Sequence, residues 1–129
     1  MIDVESKTEM KEPTVSKIYD LEDSTRQFAK DCRVLVRGLL KDIPNKEDGK
    51  QLVRASGSVA ANYIEANESL SKKDFIYRLK VCRKEAKECR LWLDIILTID
   101  SDHTELKKHL TQESNELLKI FSTIISKSE

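Results

Sequence analysis

The feature that most constrains this chain is the spacing of its apolar residues, which recur in steps of three and four through four segments separated by very short breaks. In the first segment Leu21, Phe28, Cys32, Leu35, Leu39 and Ile43 form such a seam, and Pro44 ends it because a proline ring blocks a continuing helix. The second starts from a turn at Asn45-Lys46-Glu47-Asp48-Gly49 and carries Leu52, Ser56, Val59, Ala60, Tyr63 and Asn67 on one face. The third opens at Ser71, whose hydroxyl is placed to cap the amide of Asp74 while the Asp74 carboxylate returns the bond. Its seam of Phe75, Leu79, Cys82, Ala86, Cys89, Leu93 and Leu97 predicts a helix about 42 Å long. A break at Asp100-Ser101-Asp102-His103 leads to the fourth, with Leu106, Leu110, Leu117, Ile120, Phe121 and Ile124. Only 3 Gly and 2 Pro in 129 residues leave too few turn-formers for a β-sandwich or an α/β fold. Long helices joined by short connections pack as antiparallel neighbours. The expected fold is therefore all-α, an antiparallel up-down-up-down four-helix bundle over residues 18–127, preceded by a mobile N-terminal tail at residues 1–17.

Several function classes are disfavoured by the same residues. Met1 to Lys17 mixes charges with Thr and Ser and has no apolar core, so it does not read as a secretory signal. No stretch approaches the eighteen or so apolar residues of a membrane span, and no membrane partner is expected. Three cysteines, Cys32, Cys82 and Cys89, without a C-x-x-C pair suit a reducing compartment and a cytoplasmic location. All three fall on the seams, where small buried hydrophobes are expected rather than reactive thiols. The only histidines are His103, in the third break, and His109, beside Lys107 and Lys108. Asp100-x-x-His103 has carboxylate-imidazole spacing but no second pair to complete a metal site, so it reads as a solvated turn. No Gly-rich phosphate loop, H-E-x-x-H or G-x-S-x-G is present. The sequence thus predicts no enzyme, no catalytic residue, no metal and no cofactor.

Charge is balanced overall, 23 basic against 23 acidic residues, yet it is not evenly arranged. On a wheel at about 100° per residue with Phe75 at zero, Lys72, Lys73, Lys80, Arg83, Lys84, Lys87 and Arg90 fall between about 60° and 180°. Asp74, Glu85 and Glu88 fall between about 220° and 280°. Like charges at i,i+3 and i,i+4, such as Arg83 with Lys87, repel, and a flank that tolerates them suggests an anionic partner. The plain alternative is a solvated face balanced by acids on neighbouring helices. A second apolar stripe, Tyr77, Val81, Trp92 and Ile95, lies away from the third seam and suggests another surface to bury. Opposite the second seam, Arg54, Gly57, Ser58, Ala61 and Glu65 form a narrow face suited to close helix approach and to pairing with charges of the third segment. Together these features favour a homo-oligomer.

Two stretches go beyond general amphipathicity: Gln51-Leu52-Val53-Arg54-Ala55-Ser56-Gly57-Ser58-Val59-Ala60-Ala61-Asn62-Tyr63-Ile64-Glu65-Ala66, and Ser71-Lys72-Lys73-Asp74-Phe75 running into Arg83-Lys84-Glu85-Ala86-Lys87-Glu88. Both resemble the bacterial four-helix-bundle proteins encoded by intervening sequences within 23S ribosomal RNA genes. The resemblance implies a small bundle assembled into a homo-oligomeric ring, typically a homopentamer, with no enzymatic activity. It also implies similarity to accessory proteins of diversity-generating retroelements, which associate with a reverse transcriptase and with nucleic acid. By matching positions, Arg54, Asn62, Glu65, Arg83, Glu85 and Glu88 are the family's polar signature.

Two functions follow as expectations. In the first, the oligomer binds RNA or DNA through Lys73, Lys80, Arg83, Lys84, Lys87 and Arg90 as phosphate contacts, without reading bases, since no aromatic-rich platform accompanies them. In the second, an oligomeric protein scaffold or adaptor uses the same cations to pair Glu residues of a neighbouring subunit. The expected oligomer interface comprises Arg54, Gly57, Ser58, Ala61, Glu65, Tyr77, Val81, Glu85, Glu88 and Trp92.

Overall fold

A computed structural model describes residues 20–129; the N-terminal tail expected at residues 1–17 lies outside them. Four helices follow one another: α1 (Leu21–Arg37), α2 (Ile43–Asn67), α3 (Lys72–Ile95) and α4 (Ser101–Ser128). There is no strand among the described residues. The chain is an all-α bundle in which α1 packs on α2, α2 on α3, α3 on α4, and α4 back on α1.

Each start has a local cause. Three helices open on a side chain that satisfies an otherwise orphaned amide: Asp42 accepts from Asn45 N at 2.9 Å, Ser71 from Asp74 N at 3.1 Å, and Asp100 from His103 N at 2.8 Å. The Ser71 half of the expected capping box therefore forms. The first boundary differs from the sequence expectation. α1 stops at Arg37, where Gly38 N donates to Leu35 O, and Pro44 lies in the first turn of α2. Proline is well accommodated there, because its fixed φ suits the helix and its missing amide hydrogen would have had no partner. Ile43 consequently belongs to α2 and is 78% exposed, while Leu39 is buried from the connecting turn. The residues Asn45 to Gly49, read as a turn, are helical.

Most of the core follows the seams the sequence marked, although Asn67 of the second seam is exposed and Ala60 half-buried. Leu79, Cys82, Ala86, Cys89 and Leu93 of α3 are wholly enclosed, facing Leu52, Ala55 and Val59 of α2 and Leu110, Leu117, Ile120 and Phe121 of α4 among others. Tyr63 and Phe121 bring α2 and α4 together with ring centroids 6.4 Å apart. The seam breaks at the end of α3: the helix ends at Ile95 and the backbone extends at Ile96, so Ile96 is buried and Leu97 is exposed. Gly49 marks the close approach of α1 and α2, since a Cβ there would lie 3.0 Å from Val36 Cγ1.

One buried side chain ties the two connections at this end together. Asn45 Nδ2 donates to Leu40 O and to Leu97 O, each at 3.1 Å, and Asn45 Oδ1 accepts from Leu97 N at 3.2 Å. At the opposite end of α2, Asn67 Nδ2 donates to Glu22 Oε2 at the start of α1.

Candidate nucleic-acid interface

The charge separation on α3 corresponds to two different neighbourhoods. On the acidic side α3 faces α2, where Arg54 Nη2 lies 2.7 Å from Glu88 Oε1 and 3.3 Å from Glu85 Oε1. Glu85 is only 6% exposed, so its charge is held where an opposite charge and hydrogen bonds are most needed. The hydrogen bond from Arg54 to Glu85, with that carboxylate's charge, raises the guanidinium pKa further above its ordinary value. One turn and more towards the start of α3, Arg78 Nη1 donates to Asn62 Oδ1 at 3.0 Å, and its Nη2 lies 3.7 Å from Glu65 Oε1. Arg54, Glu65, Glu85 and Glu88, expected at subunit contacts, thus form ion pairs within one chain.

On the basic side the picture is different. Lys73, Lys80, Lys84, Lys87 and Arg90 are exposed and Arg83 is half-buried. Lys80 Nζ lies 3.4 Å from Glu129 Oε2, Lys84 Nζ lies 3.8 Å from Glu85 Oε2, and Arg90 Nη1 donates to Asn115 Oδ1 at 3.0 Å. Lys72, Lys73, Arg83 and Lys87 meet no carboxylate within ion-pair distance among the described residues. The flank is therefore only partly balanced by acids: the Lys80–Glu129 pair is solvated on both sides and worth at most about 1 kcal/mol, and the Lys84–Glu85 pair is long and solvated on the lysine side. Since the helix rises about 1.5 Å per residue, the cations from Lys73 to Arg90 span about 25 Å.

The remaining interface candidates scatter. Tyr77 is 60% exposed, whereas Val81 and Trp92 are half-buried and Trp92 packs against the core. The Trp92 indole N–H is enclosed and has no hydrogen-bond partner among the described residues. Gly57 lies beneath Arg33, 3.3 Å from a Cβ built there to the guanidinium, Ser58 accepts from Asn62 Nδ2 at 3.0 Å, and Ala61 is exposed.

Burial accounts for the cysteines as expected. Cys32, Cys82 and Cys89 are enclosed, and burial pushes Cys32 and Cys82 up to about 12 and Cys89 higher still. Such thiols are neutral and poorly nucleophilic at physiological pH. Among the described residues no group of three or more His, Cys, Asp or Glu is arranged to hold a metal ion, and no helix is long and apolar enough to cross a membrane.

His103 proves to be more than a turn residue. Its Nδ1 lies 2.7 Å from Asp100 Oδ2, and its ring rests on Gly38, leaving no room there for a Cβ. The backbone and ring hydrogen bonds from His103 hold the Asp100 carboxyl below its ordinary range. A depressed folded-state value stabilises the fold above the ordinary carboxylate pKa and is lost as pH falls through the depressed one. Asp100→Asn keeps a capping oxygen but no charge. The thermal-stability gap between wild type and Asp100→Asn is expected to be present at pH 7 and to close in acid. A gap unchanged down to pH 2 would contradict this.

Fold and site together define a small all-α bundle protein with charges segregated across its third helix. The chain belongs to the 23S rRNA-intervening sequence protein family, whose model matches residues 19–123. A solved structure of a protein of unknown function from the S23 ribosomal protein family of Bacteroides thetaiotaomicron is similar, with a TM-score of 0.70 and 28% identity, covering 81% of this chain and 96% of that one. No curated protein matches this chain.

Proposed function

We propose that this protein is a non-enzymatic, homo-oligomeric nucleic-acid-binding bundle that engages phosphates through the basic flank of α3. The observation that carries this reading is the contrast between the two sides of α3. Glu85 and Glu88 are taken up by Arg54 of the same chain, while Lys73, Arg83 and Lys87 meet no acid among the described residues. A scaffold that used these cations to pair Glu85 or Glu88 of a neighbouring subunit would first have to displace Arg54. A polyanion needs no such rearrangement, and phosphate neutralisation relieves the repulsion within the flank.

An up-down-up-down order is supported by the antiparallel pairing of α2 with α3: Asn45 near the start of α2 bonds Leu97 just beyond the end of α3, and Asn62 near the end of α2 bonds Arg78 near the start of α3. Self-assembly into a ring, with five subunits implied by the family resemblance, is supported by exposed apolar residues including Ile43, Leu91, Ile95 and Ile99. Several copies of the flank on one ring would combine through effective concentration. Three buried free thiols are consistent with a cytoplasmic location.

A salt series on the full chain tests the reading. With four to six phosphates neutralised per bound chain, affinity for a generic duplex is expected to fall about 100-fold or more between 50 and 200 mM salt. Absence of retention at low salt, or an affinity indifferent to salt, would rule out the phosphate-binding flank.

A further inference from the structure

Beside the first turns of α3, the flank opens onto a groove of about 580 Å³ lined by Lys72, Lys73, Ile76, Tyr77 and Lys80. Its composition is unlike the rest of the flank, because an aromatic ring and an aliphatic side chain sit among three cations. The ring is held. The Arg78 guanidinium lies over Tyr77 at 5.7 Å from the ring centroid, and Arg78 is itself fixed to α2 by Asn62 and Glu65. Tyr77 nevertheless remains 60% exposed, so it pays little further ordering cost on receiving a flat partner. Among the described residues Lys80 is engaged only by the exposed side chain of Glu129, a solvated pair that a phosphate can replace.

We infer that this groove binds an unpaired nucleotide of a nucleic acid, its base stacked on Tyr77 and its phosphates on Lys72, Lys73 and Lys80. The inference rests on the proposed function and sharpens it. A cationic surface alone recognises backbone, whereas an aromatic face among cations is the arrangement that accepts a splayed base. A base inside a duplex has both faces stacked and cannot occupy the site. Tyr77 and Arg90 are about 20 Å apart along α3. A strand anchored at Tyr77 can therefore run along Lys84, Lys87 and Arg90, so that one end of the flank selects single-stranded ends or loops and the remainder holds phosphate.

The experiment compares three RNAs on the full chain at one low salt concentration: a blunt hairpin, the same hairpin with a three-nucleotide unpaired extension, and the hairpin with an abasic extension of equal charge. Wild type is expected to bind the base-bearing extension about 5-fold or more tightly than the abasic one, in line with the stacking of a single base. Tyr77→Ala should erase that preference without weakening the blunt hairpin, and Tyr77→Phe should keep it. Equal binding of base-bearing and abasic extensions by wild type would overturn the inference while leaving the phosphate-binding flank intact. So would a Tyr77→Ala change that lowers all three affinities alike, or one that alters particle mass in light scattering, which would assign Tyr77 to a subunit contact. Failure of every RNA to bind would remove the proposed function, and this inference with it.

Discussion

Asn45→Ala is expected to lower stability by about 2–3 kcal/mol, with a fall in Tm of about 10–20 °C. The side chain is 4% exposed and uses both of its Nδ2 hydrogens and its Oδ1 in bonds to Leu40 and Leu97. These partners are backbone groups in the α1–α2 and α3–α4 connections, so no helix ladder satisfies them when the amide is removed. Each abandoned group in a buried setting costs about 1–3 kcal/mol, and water reaching the exposed side of Leu97 recovers part of it. Asn45→Asp separates geometry from chemistry: it preserves the shape but turns the two donors into an anionic oxygen facing two carbonyls, and should be no better than alanine at pH 7. Urea unfolding with an unchanged m-value would confirm that the loss is in the folded state. A loss below about 1 kcal/mol for both variants would mean that the connections hold each other without this clamp.

Asn45 also shows where the sequence stopped being informative. The seam positions Leu79, Cys82, Ala86, Cys89 and Leu93 were legible because burial on a helix is a periodic property, readable from spacing alone. The local sequence of Asn45 points to a turn, since nothing local distinguishes an exposed asparagine from one bonded to a backbone 52 residues away. Pro44 is ambiguous in the sequence for a related reason: the same residue can stop one helix or start the next, and the cap at Asp42 decides between them. Periodicity also ran past its domain at Leu97, where the helix had already ended and the alternation had shifted to Ile96.

The candidate site was legible to the same degree. The wheel separated the cations of α3 from Glu85 and Glu88, because both sets lie on one continuous helix. It could not say which neighbouring helix each side would meet. Spacing places Arg54 on a face open to subunit contacts; the fold shows that it also spans α2 and α3 within the chain. The wheel likewise groups Tyr77 with Trp92 in one apolar stripe, yet Trp92 packs against the core and Tyr77 stays exposed beneath Arg78. His103 lacked any signal for its packing on Gly38, since that contact depends on how two helix ends converge.

Reversing three cations at once, Lys80→Glu, Lys84→Glu and Lys87→Glu, is expected to weaken nucleic-acid binding about 1000-fold at 0.1 M salt, since each lost phosphate contact forfeits roughly a factor of ten there. The slope of log affinity against log salt should become shallower by about 2 to 3. The fold should survive the change. The three lysines are exposed, and the pairs they surrender, Lys80 with Glu129 and Lys84 with Glu85, are solvated on the lysine side. Glutamates at 80 and 87 would lie three and four residues from Arg83, and that attraction offsets the repulsion of a glutamate at 84 with those at 80, 87 and 88, each a few tenths of a kcal/mol per pair. Arg54 keeps its grip on Glu85 and Glu88 throughout, so the α2–α3 contact is not the element under test. Binding and assembly are then separable in one sample: light scattering should return the wild-type particle mass while retention on nucleic acid disappears. If the reversed protein instead falls to 14.9 kDa and the wild type never binds nucleic acid, the cations serve a neighbouring subunit and the scaffold reading replaces the proposed one.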